Sequence, residues 1–193
     1  MATDSVGSSR DVTALSLQLL GAFHHLQTVL DVVAARFFEK SMPKVAKFIK
    51  QKMRTGDVER VDLFLVISSQ LETDAELGSF KATFNEVKAM RDSLAHSAAI
   101  DAIGQDQLKV VKSLIGPDLG FEPEGSQIGR DEISAAIQKC RWLEMQALYV
   151  NGHGMGRQIG AGPVVLKFKR PTEDPESWDG NVFLYGSRPG DES

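Results

Sequence analysis

The sequence predicts an all-α protein: an up-and-down bundle of about five helices, closed by an irregular or short-hairpin C-terminal tail. Three observations carry that expectation. Apolar residues recur at steps of three and four through most of residues 10–150, the repeat of helices with one buried face. Aromatic residues make up 7% of the chain and ten of them are Phe, which suits helix packing better than a β-sandwich. Turn and cap residues fall between the periodic runs rather than inside them.

Residues 1–9 are small and polar, and are expected to be disordered. Asp11 is a fitting N-cap, and Val12, Leu15, Leu19, Phe23, Leu26, Leu30, Val33 and Phe37 then mark one face of a helix about 27 residues long. Ser41-Met42-Pro43 stops it and starts a second, since Pro is tolerated in a first helical turn. In that second helix, to about Arg54, Met42, Val45, Ala46, Ile49 and Met53 gather on one side at ~100° per residue. Lys40, Lys44, Lys47, Lys50 and Arg54 gather opposite them, with no acid in between. Such a stripe suits RNA phosphates, and equally a solvated helix face. Gly56-Asp57 opens a third helix, Val58 to about Leu71, with Val61, Leu63, Phe64, Leu65, Val66 and Ile67 expected to be deeply buried.

A fourth helix runs from about Glu76 into residues 91–96. Its seam is Leu77, Phe80, Phe84 and Val87, and the next seam positions are Arg91 and Leu94. Residues 98–129 are less regular: Gln105 to Ile115 reads as a short helix, and Gly116-Pro117-Asp118 and Gly120 to Gly125 as loops. A last helix spans Asp131 to Val150, with Ile133, Ile137, Cys140, Leu143 and Ala147 at helical spacing. The domain is thus residues 10–150. Residues 151–193 form a Gly-rich linker and tail, in which Val164 to Phe168 and Val182 to Tyr185 read as two short strands. They form a hairpin, or a segment ordered only on a partner or not at all.

Net charge is −4, from 22 basic and 26 acidic residues, which argues against a dedicated nucleic-acid coat but leaves local RNA contacts open. The single cysteine excludes an intramolecular disulfide and fits a reducing cytoplasm. Residues 1–9 lack the basic and apolar regions of a signal peptide, and no apolar run approaches the ~20 residues that span a bilayer. The expectation is a cytoplasmic protein without membrane contact. His24 and His25 are adjacent and point ~100° apart on a helix, which is not the i, i+4 pairing of a metal site. The Gly-rich segment after residue 150 follows a helix and lacks the Gly-Lys-Ser/Thr of a phosphate loop. Neither metal nor cofactor is expected, and Cys140 reads as core.

The chemistry concentrates in Arg91-Asp92-Ser93-Leu94-Ala95-His96-Ser97. An arginine on an apolar seam needs a partner, a ligand or an interface, because an unpaired buried charge is costly. Histidine titrates near neutrality and can move a proton, while a guanidinium forks onto phosphate oxygens. Ten arginines and four histidines make the five-residue spacing a weak signal on its own. Seam position and the small neighbours Ser93, Ala95 and Ser97 strengthen it. Five helical steps rotate ~500°, so the two side chains do not share a helix face. Either the helix breaks between them or two subunits each supply one group.

This segment resembles the signature of the HEPN superfamily, which carries an Arg, usually a polar residue, a few more positions, then a His, often as Ala-His. The likeness covers roughly residues 10–150. It implies an all-α bundle that dimerises with the motif at the interface. Many members are metal-independent endoribonucleases of toxin–antitoxin or anti-phage defence systems, and others are inactive RNA or nucleotide binders. On that resemblance His96 would be the acid–base group and Arg91 would hold the scissile phosphate, with Asp92 and Ser93 as polar support. RNA would be cut through its 2′-OH and DNA would not. Asp92 departs from the pattern, since asparagine is common there, and an added acid weakens phosphate affinity. An antitoxin or another protein would be the remaining partner. The competing expectation is a non-catalytic helical interaction or nucleotide-binding module in which Arg91 pins a structural contact.

Overall fold

The computed structural model describes residues 11–39, 42–52, 56–71, 73–103, 105–111, 125–154, 164–181 and 183–187. Among them are five α-helices: α1 (Val12–Glu39), α2 (Pro43–Lys52), α3 (Asp57–Gln70), α4 (Phe80–Ala95) and α5 (Arg130–Gly154). The long first helix is the spine, packing against each of the other four. Its periodic face (Val12, Leu19, Phe23, Leu26, Leu30, Val33) is buried as the spacing predicts. Aromatic rings carry the bundle's centre, with Phe23 5.3 Å from Phe84, Phe64 4.8 Å from Phe80, and Phe80 6.2 Å from Trp142 between centroids. Such tilted pairs add to the burial of their large apolar surfaces.

The fold is mostly helical but not purely so. Three antiparallel strands, β1 (Ala99–Ile103), β2 (Gln107–Val111) and β3 (Gly125–Gly129), form a sheet with β2 in the middle. The helix expected from Gln105 to Ile115 is therefore corrected: Gln107–Val111 is the central strand. Leu108 and Val110 are buried while Gln107 and Lys109 turn outward, the period of two that a half-buried strand requires. Leu108 pairs across the ladder with Ile128, itself buried. The expected loops at Gly116 to Asp118 and Gly120 to Gly125 lie outside the described residues, except Gly125, which opens β3.

Smaller differences have local causes. The fourth helix begins at Phe80 rather than near Glu76, with Ser79 at its N-cap, and Asp74 and Glu76 of the preceding loop pair with Arg170. On α2, Ala46 is buried but Met42, Val45 and Phe48 are exposed, so its apolar side is only partly covered. On α3, Val61, Phe64 and Ile67 are buried while Val66 is 59% exposed, as the helical period demands of a run too apolar to sort by eye.

The two expected tail strands do form a hairpin, β4 (Val164–Phe168) with β5 (Phe183–Ser187). Between them, residues 169–181 lie on the bundle. The Trp142 indole donates to the Thr172 carbonyl at 2.8 Å, and the Ser79 hydroxyl to the Glu173 carbonyl at 2.6 Å. Trp178 is buried against the same core. Residues 1–9 and the linker at 155–163 lie outside the described residues. No described helix is long and apolar enough to cross a membrane.

Candidate functional site

Arg91 occupies the seam of α4, one turn beyond Val87, and faces α1 and α3. Its guanidinium lies 4.4 Å over the Phe23 ring of α1. One amino group donates to Asp57 Oδ2 at 2.6 Å, and the other stands 2.8 Å from Asp92 Oδ1. Asp57 sits in the first turn of α3, where the helix dipole favours a carboxylate. The same carboxylate accepts from Gln27 Nε2 at 2.5 Å and from Arg60 Nη1 at 3.0 Å. Arg60 reaches on to Asp31 at 2.7 Å, and Lys88 pairs with Asp92 from one turn back on α4. The result is a continuous network across three helices, in which Asp31, Asp57 and Asp92 balance Arg60, Lys88 and Arg91 one for one.

That balance decides what the site can do. The Arg91 side chain is 17% exposed, and its two amino groups are committed to acids. Its Nε is buried without an acceptor among the described residues. A phosphate would have to displace Asp57 or Asp92 and leave that acid close to its own negative charge. The partner that the seam position asks for is thus an internal carboxylate.

His96 is placed differently. It follows Ala95 as the C-cap of α4, its backbone N–H still bonded to the Asp92 carbonyl at 3.0 Å. Its side chain is 72% exposed, with Nε2 3.9 Å from Asp92 Oδ1. The helix does end between the two motif residues, and Arg91 and His96 meet only through Asp92. Ser93 is half-buried, and its carbonyl accepts the Ser97 hydroxyl. Asp57, Arg60, Asp31 and Gln27 were not among the predicted site residues. The signal that could have found them is Asp57 and Arg60 at i, i+3 on the helix after the basic stripe, a pair able to complete a seam arginine.

In the stripe itself, Lys44 and Lys47 are exposed on α2. The Lys50 side chain, and Lys40 and Arg54 altogether, lie outside the described residues. His25 Nδ1 is 3.1 Å from Glu144 Oε2. Among the described residues no three His, Cys, Asp or Glu side chains converge as metal ligands. Cys140 is buried in α5, and burial, reinforced by Glu144, pushes its thiol up to about 12, which leaves it protonated and unreactive at neutral pH.

No protein-family model, curated protein or solved structure matches this chain.

Proposed function

We propose that the chain is a non-catalytic helical interaction module in which Arg91 belongs to the scaffold. The observation that carries this reading is the closure of Arg91 by Asp57, Asp92 and the Phe23 ring within a charge-balanced network. An arginine so held locks α1, α3 and α4 together and offers no free cation to a substrate. A surface for interaction is present on α2, where Met42, Val45 and Phe48 stand exposed at three-residue steps beside Lys44 and Lys47. A second copy of the chain is the simplest occupant, docking through α2 and not through the motif as the HEPN resemblance implies.

A second reading is kept alive by His96. It is a metal-independent endoribonuclease of the toxin or anti-phage type, with His96 moving the proton and a second subunit completing the site. Its support is the exposure of His96 at the end of α4, beside Asp92.

One experiment separates the two. RNA is incubated with the purified protein in excess EDTA, beside His96→Ala and Arg91→Ala. The module reading expects no cleavage, a marked loss of stability in Arg91→Ala, and self-association that weakens in Phe48→Glu. Cleavage that leaves 2′,3′-cyclic phosphate ends and disappears in His96→Ala would replace that reading with the nuclease.

A further inference from the structure

A concavity on the described surface lies away from the motif. A cleft of about 810 Å³ opens between α1, α5 and the loop at 178–180, within the usual range for small-molecule sites. Leu15, Ile137, Met145 and Trp178 supply apolar wall. Gln138, Arg141 and Glu144 supply polar groups at its edge. None of these residues belongs to the Arg91 network, so a ligand bound in this cleft is independent of the proposed function.

One polar group lining this cleft lacks a partner, and so does one buried behind its wall. Arg141 is exposed, and no carboxylate among the described residues pairs with it. The nearest candidate on its own helix, Glu144, is engaged by His25 instead. Trp178 is 8% exposed, and its indole N–H is buried without an acceptor among the described residues. Gly180, at a φ of 76° that only glycine adopts without strain, makes the turn that sets Trp178 there. An unpaired guanidinium and an apolar wall thus share one concavity.

We propose that this cleft binds a small organic anion. A flat apolar body would lie against Trp178, Ile137 and Met145, and a single carboxylate or phosphate group would pair with Arg141. One free cation beside the carboxylate of Glu144 suits a ligand with one anionic group and disfavours a triphosphate. The shared chemistry is an aromatic monoacid, and its source is either a nucleoside monophosphate or an aromatic carboxylate.

The test is a titration of the full chain with AMP, indole-3-acetate and ATP, followed by NMR of the backbone amides and, for the two nucleotides, which do not emit, by indole fluorescence. Trp142 is fully buried in the core and should give a constant background, while Trp178 should respond. Saturable binding of AMP or indole-3-acetate, tighter than ATP, is the expected result, and the better of the two identifies the source. Arg141→Gln should weaken it about tenfold or more, as loss of a charge-assisted hydrogen bond does. Trp178→Phe should abolish the fluorescence response while the shifted amides stay on α1 and α5. The proposal is overturned if neither monoacid saturates, or if Arg141→Gln binds as the unaltered chain does. Arg141 is exposed on α5, so its replacement leaves the fold intact and any loss of binding reports on the cleft.

Discussion

Arg91 and Arg141 stand on two helices that pack against each other, α4 and α5, in opposite circumstances. Arg91 fills a seam position and is surrounded by the acids that neutralise it, with an aromatic ring beneath. Arg141 lies at the rim of a cleft, and the acid three residues on is occupied by a histidine of α1. On the reading proposed above, the motif-bearing arginine is the structural one, and the arginine without a motif is the one with charge to offer. Sequence context marks where an arginine sits; only the neighbours show whether its charge is already used.

The sharpest way to break this contrast is at Asp57, which joins Arg91, Arg60 and Gln27. Asp57→Ala should lower stability by about 3 kcal/mol in urea unfolding, because it leaves two largely buried cations facing each other. Next in size, Arg91→Ala should cost about 2 kcal/mol, against under ~0.5 kcal/mol for Arg141→Ala. Equal losses from the two arginine variants would remove the distinction. The balanced network also implies that Arg91→Met, which keeps the apolar stem over Phe23 but not the charge, loses nearly as much as Arg91→Ala, because Asp57 and Asp92 are left with a cation too few.

A smaller effect appears at alkaline pH, on the α5 side of the contrast. Burial pushes the Cys140 thiol from 9.0 to about 12, and burial together with the hydrogen bond to Asp74 pushes the Tyr149 phenol from 10.0 to about 12. The folded state holds both protons longer than the unfolded chain does. Their contribution is therefore complete below pH 9, and falls first through Cys140 and then through Tyr149 as pH rises towards 12. Urea midpoints should drop across that window, and Cys140→Ala should shift the onset of the drop towards pH 10, where the phenol alone remains. The smallest effect is kinetic: the Cys140 thiol should stay unlabelled by a thiol reagent at neutral pH until the protein is unfolded.

The helices were legible because each buries one face against α1, which writes a period of three and four into residues such as Leu19, Phe23, Phe84 and Ile137. The sheet was not, because β2 is only five residues long and its Leu108, Val110 and Val111 fit a helix turn about as well as a strand. Pairing with Ile128 of β3 decides the matter, and no local pattern records a contact across that separation. The same holds at the candidate site. That Arg91 needed a partner could be read from its seam position. That the partner is Asp57, 34 residues earlier, is a property of how α3 and α4 cross α1. That Arg141 pairs with no carboxylate among the described residues while Glu144 lies 3.1 Å from His25 of α1 was invisible, since it too is a tertiary contact.

The way residues 169–181 fasten to the bundle orders events during synthesis. Thr172 and Glu173 close contacts with Trp142 and with Ser79, the latter 94 positions away along the chain. Closing so wide a loop gains nothing until the helices that receive it are in place. A chain still emerging from the ribosome can therefore assemble α1 to α5 while Trp178 is missing from its place. During that interval the apolar residues it covers are open to water and to other chains, so premature termination before residue 178 should give a protein that folds but aggregates.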